Sequence, residues 1–159
     1  MPEVMEQITP LGKIFAILTK QYISILGSKL NSLPIDRYFF AFWVISKNNR
    51  KITSKMLADI LQTDKVLVVR IIKYLNEKNF IERIQHPNDR RSFLLHVTEY
   101  GEKYLPAIEN ALIETDQEFT SAIKTENKSL VLSEITKLAN KMGPIEGERI
   151  VLDYKKLNK

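Results

Sequence analysis

Between Thr53 and Thr98 the order of caps, turns and apolar positions leaves few ways to fold. Thr53 stands as a cap before a short helix, Ser54 to Leu61, with a predicted buried stripe of Met56, Leu57, Ile60 and Leu61 and the small Ala58 on the same side. Gln62-Thr63 makes the turn, and Asp64 is a suitable cap for the next helix. On a wheel of about 100° per residue, Val68, Ile71, Ile72 and Leu75 share one face. Val66, Arg70, Lys73 and Glu77 point the other way, flanked by Val69 and Tyr74. Phe80 to His86 then alternates like a strand, Pro87-Asn88-Asp89 turns, and Ser92 to Val97 returns as a second strand. Asp89, Arg90 and Arg91 crowd the turn. Two short helices, the second basic outward, followed by a basic strand pair form a helix-turn-helix with a wing.

The flanks are helical. Ile8 to Leu30 has apolar residues at helical spacing and no long polar face, so part of it meets a second surface. Leu33-Pro34-Ile35-Asp36 is expected to open a helix reaching Lys47 that is apolar on nearly all sides and therefore central. Thr98 caps another helix, interrupted at Gly101 and Pro106, that is expected to reach Lys124. A last helix spans roughly Glu126 to Lys141 and ends at Gly143-Pro144. The fold class is mainly α with a small β-wing.

Charge sharpens this. The net charge is +5, and Lys47 to His96 holds 11 basic and 5 acidic side chains. The remaining residues hold 13 and 14, so the whole excess lies in the middle third. Such concentration points to a polyanion, most simply double-stranded nucleic acid. The absence of cysteine excludes disulfides, thiolate metal sites and cysteine redox sensing. The first residues are acidic where a signal peptide needs basic ones, and no apolar run is long enough to span a membrane, so a cytoplasmic location is expected.

The run from Leu57-Ala58 through Leu61, Val68, Arg70, Leu75, Ile81-Glu82-Arg83, Pro87, Asp89-Arg90-Arg91, Leu95 and Val97-Thr98-Glu99 to Gly101 resembles the MarR family of winged helix-turn-helix transcription regulators. The most specific part is the Asp-x-Arg wing with its Leu-x-Val-Thr-x-x-Gly exit. The resemblance implies a homodimer on a palindromic DNA operator, usually acting as a repressor and often released by a small aromatic or anionic effector. It implies a helical dimerisation region over 1–33 and 99–142, a winged domain over 34–98, and an extension over 143–159 outside the family pattern. By position, Val66, Val69 and Arg70 fall where the family faces bases, Arg91 where an arginine enters the minor groove, and Asp89 where an acid holds it. Lys65, Lys73 and Arg90 suit phosphates, as do Thr53 and Ser54 at a helix start. The family commonly has Ser or Thr where Val66, Leu67 and Val69 stand, and often Gly where Gln62 stands. Apolar side chains there favour thymine methyls over hydrogen-bonded base edges and predict a T-rich half-site.

Several positions carry two readings. Val69 either faces bases or packs under the wing. Tyr22, Tyr38, Phe39, Phe42 and Trp43, with Arg37 or Lys20 as anion partner, either line an effector pocket or form core. His86 and His96 read as solvent-facing strand residues, since two further metal ligands are missing. Glu146 and Glu148 read as solvated, and no cofactor motif or catalytic constellation is present, so the chain is expected not to be an enzyme. An architectural DNA-binding protein and a winged module that binds protein are the alternatives. Ile150, Val151, Leu152 and Tyr154 in the extension would pack on a partner subunit.

Overall fold

The computed structural model describes residues 10–142. The extension and the helix stop expected at Gly143-Pro144 lie outside the described residues. The element order is α1 (Leu11–Lys29), α2 (Phe39–Lys47), α3 (Ser54–Leu61), α4 (Lys65–Glu77), β1 (Ile81–His86), β2 (Asp89–Val97), α5 (Glu99–Glu102), α6 (Leu105–Phe119) and α7 (Thr125–Met142). The strands pair antiparallel. A mainly helical chain with one two-stranded wing is the expected class.

The core gathers around α2. Phe42 is fully buried and meets Phe80 edge-on, with ring centroids 5.2 Å apart. Leu57 from α3, Ile72 and Leu75 from α4, and Leu95 from β2 close the same core. Gly101 sits where α5 crosses the start of β1; a Cβ there would collide with the Phe80 carbonyl oxygen and crowd Phe42. Only glycine permits that approach.

Three expectations need correction. The helix expected to open at Pro34 and Asp36 begins at Phe39, because Tyr38 adopts a left-handed conformation (φ 61°) that breaks the helical path. Asp36 instead pins the preceding turn to α4: its Oδ1 accepts from the Tyr74 hydroxyl at 2.5 Å, and its backbone N–H donates back at 3.1 Å. Second, Met56 and Ile60 are exposed, not buried. An eight-residue helix turns only one narrow face inward, and Leu57 and Ala58 occupy it. Third, α6 stops at Phe119, well short of Lys124, with Thr120 folding its hydroxyl back onto the Asp116 carbonyl at 2.6 Å.

Candidate nucleic-acid interface

The helix-turn-helix is built by its caps. Thr53 Oγ1 accepts from the Met56 N–H at 3.3 Å, and Asp64 Oδ1 accepts from the Leu67 N–H at 2.8 Å. Each bond satisfies one of the donors that a helix start leaves without a partner. Between them Gln62 takes a left-handed conformation (φ 49°), the geometry for which glycine is the easier choice. Val68, Ile71, Ile72 and Leu75 then bury the inner face of α4. Lys65, Val66, Val69, Arg70 and Lys73 are all exposed on the remainder. Lys73 Nζ lies 3.8 Å from Glu77 one turn on, a weak surface pair. At the start of α3, Ser54 is exposed and Thr53 half-buried.

Val69 is 56% exposed, so it does not pack under the wing. With Lys73, Asn76, Glu77, Glu82 and Arg83 it lines a shallow concavity of about 520 Å³ between α4 and β1.

The wing tip is a wide bulge. Gln85 pairs with Phe93, yet the next residue, His86, pairs with Asp89. Arg90, Arg91 and Ser92 are thereby left without partners on β1. Gln85 Nε2 clamps both ends of the bulge, donating to the carbonyls of Asp89 and Ser92 at 3.0 Å each. Asp89 Oδ1 accepts from the backbone N–H of Arg91 at 2.9 Å. The acid therefore fixes the backbone of Arg91 rather than its guanidinium, as a short side chain two residues upstream readily does. Arg90 and Arg91 project exposed from a held base.

The wing root is fastened to the α2–α3 loop. Leu95 N–H donates to the Ile52 carbonyl at 2.9 Å, and Arg50 N–H to the Leu95 carbonyl at 3.0 Å. Asn49 Oδ1 accepts from the Val97 N–H at 2.9 Å and lies 2.9 Å from His96 Nδ1. The Arg50 guanidinium lies against the same ring, its Nε donating to Nδ1 at 3.1 Å and its Nη2 2.9 Å from Nε2. His96 is thus a half-buried structural link and not a solvent-facing strand residue. It pairs across the sheet with Glu82, while His86 pairs with Asp89, so the two histidines stand apart. Among the described residues no group of three or more metal-ligating side chains occurs.

The candidate effector residues divide. Phe39 and Phe42 are buried in the core cluster around α2. Tyr22 hydrogen-bonds Asp116 at 2.7 Å and stacks edge-on with Phe119; burial, then that bond, raises its pKa. Trp43 stacks on Phe40 and lies under Lys47, whose ammonium also meets Glu109 at 2.6 Å. That ammonium holds the Glu109 carboxyl below its usual range. Lys20 is exposed on α1. Of the two candidate cations Arg37 is the one that meets aromatic rings, its guanidinium lying 5.9 Å from the centroid of the candidate Tyr38 and 5.5 Å from that of Tyr74. Gln85, Asn49 and Tyr74 escaped the sequence reading, because each acts through a partner far along the chain or through an irregular loop.

A capped helix pair with a tight turn, an exposed basic second helix and an arginine-tipped strand pair define a winged helix-turn-helix protein. The MarR family model matches residues 43–93, from α2 into β2. An uncharacterised HTH-type transcriptional regulator of Bacillus subtilis is 37% identical over 87 residues, which cover 54% of this chain and 59% of that protein. The HTH-type transcriptional regulator BilQ of Clostridioides difficile is 34% identical over 95 residues, covering 59% of this chain and 63% of its own length. The chain spans only 55% to 63% of the first curated relatives it matches. A MarR variant from E. coli crystallised with operator DNA superposes with a TM-score of 0.75 at 22% identity, covering 86% of this chain and 98% of that one. At that identity the likeness speaks for the fold. Over residues 43–93 the chain is similar to the MarR family. Among the described residues no helix is long and apolar enough to cross a membrane.

Proposed function

We propose that this chain is a sequence-specific DNA-binding transcription regulator, a cytosolic repressor that acts as a homodimer on a palindromic operator. The observation that carries the reading is the exposed basic face of α4 beside a wing whose Arg90 and Arg91 are freed by a clamped bulge. A helix of this size fits the major groove, and an arginine suits the narrow, strongly negative minor groove. Lys65, Lys73, Arg90 and the start of α3 at Thr53 and Ser54 would hold phosphates. Relatives named as transcription regulators support the same reading. The apolar residues of α1 and α7 that stay exposed among the described residues support pairing of two copies. Two-fold symmetry then sets half-sites about 34–36 Å apart.

Operator selection with the purified protein tests this. One enriched palindrome should resist competitor DNA, and Arg91→Ala should weaken it roughly tenfold, as loss of a charge-assisted contact does. Binding that competitor removes would favour an architectural role, and no binding at all a protein-binding module. An effector, a small aromatic anion, would engage Arg37 beside Tyr38 and Tyr74. Trp43 fluorescence titrated with phenolic acids reads this out, and a flat response removes the effector.

A further inference from the structure

Val66 and Val69 stand out on α4. They are 63% and 56% exposed, although the inner face of the helix already supplies its four buried aliphatic side chains. Valine is a poor helix former, so neither residue serves the helix itself, and neither serves the core. Lys65, Arg70 and Lys73 surround them, all exposed. The carboxylates nearby are occupied: Asp64 caps the helix and Glu77 faces Lys73. An apolar strip framed by cations is complementary to a surface that is anionic at its edges and bears isolated methyl groups within. The DNA major groove is such a surface, and the pyrimidine C5-methyl is the apolar group it presents.

We propose that Val66 and Val69 make α4 a reader of the pyrimidine C5-methyl group, so that 5-methylcytosine replaces thymine at the bases they face. The inference rests on the DNA-binding reading above and deepens it. Thymine and 5-methylcytosine share the C5-methyl and differ at position 4, an acceptor oxygen in one and a donor amino group in the other. A valine has no hydrogen-bonding group and is blind to that difference. A threonine or serine hydroxyl would sense it. Arg70 then supplies the polar part of the readout, matching the paired acceptors of a guanine. The operator this describes carries methylated pyrimidines next to guanine, and cytosine methylation tunes its affinity.

The test uses the full chain and the enriched operator, with affinity measured at one fixed salt concentration. Replacing thymine by deoxyuridine, which removes only the methyl, should weaken binding about fourfold per contacted methyl. Replacing that deoxyuridine by 5-methylcytosine, paired with guanine, should restore the loss, whereas unmodified cytosine should not. In Val66→Ala/Val69→Ala, whose alanines favour the helix but offer less apolar contact, the thymine-to-uracil ratio should fall toward one while phosphate-driven binding persists. An enriched operator that binds equally with thymine and uracil overturns the inference and leaves the DNA-binding reading standing. A ratio that survives in the double variant overturns the assignment to these two valines. A selection that enriches nothing overturns the DNA-binding reading and the inference with it.

Discussion

The winged half of the molecule closes on itself, and the terminal helices do not. Helix α4 buries four of its 13 residues. Helix α1 buries one of 19, Leu26, and α7, with 18 residues, buries none of its described side chains. The starts of α3, α4 and α5 are each capped by a side chain, whereas those of α1, α2 and α6 are not. A buried aliphatic side chain is worth roughly 1.5–3 kcal/mol, and most helical stability in proteins comes from packing an apolar face. The winged half therefore holds its shape from its own contacts. Among the described residues the terminal helices lack a second surface, which the homodimer proposed above would supply.

The sharpest way to break this comparison is to charge α7. Ile135 and Leu138 lie three residues apart on one face and are both exposed. Ile135→Glu/Leu138→Glu should weaken the dimer at least about 100-fold, because four aliphatic side chains per dimer lose their cover. Operator affinity should fall in parallel, while near-ultraviolet dichroism of the winged half is unchanged. Sedimentation equilibrium decides: an undisturbed dimer would mean that α7 serves some other surface.

Gly101→Ala acts at the join between the halves. The new methyl would meet the Phe80 carbonyl and the Phe42 ring, neither of which can withdraw from a filled core. A loss of roughly 2–4 kcal/mol is expected in urea unfolding, with an unchanged slope. A loss below about 0.5 kcal/mol would mean that α5 slides freely on β1, and that the winged half is less tightly closed than its burial implies.

What could be read from the sequence follows the same division. The inner face of α4, the caps Thr53, Asp64 and Thr98, and the strand pair follow from local periodicity and turn chemistry, and all are found. The misses have tertiary causes. Tyr38 turns left-handed where Arg37, Tyr74 and Asp36 assemble from two distant segments. The wing bulge depends on Gln85 reaching across to two carbonyls, which strand alternation cannot reveal. Phe39 and Phe42 carry a pocket reading beside the commoner core reading in sequence, and both are buried in the fold. Val66, Val69, Arg70 and Arg91 came from the family resemblance; periodicity shows that the α4 residues face outward but not what they face.

The smallest effect compares two tyrosines, one on each side of the division. Tyr74 ties α4 to Asp36, and its pKa is raised from 10.0 to about 12, by burial first and the Asp36 bond second. Tyr22 ties α1 to Asp116 of α6 and is raised further, again chiefly by burial. In both cases the folded protein keeps the phenolic proton more tightly than the unfolded chain. The stability linked to that proton is complete below pH 10 and, for Tyr74, is lost as pH rises from 10 to about 12. Tyr74→Phe should flatten the alkaline decline across that window and cost about 0.5–1.5 kcal/mol at neutral pH through the lost hydrogen bond. Tyr22→Phe should flatten the same decline and go on flattening it at higher pH, because folded Tyr22 keeps its proton beyond the window while the unfolded chain loses it from pH 10. Urea midpoints measured at several alkaline pH values separate the two. Flattening that ends at the same pH in both variants would mean that the two tyrosines are held alike, which would erase this difference between the halves.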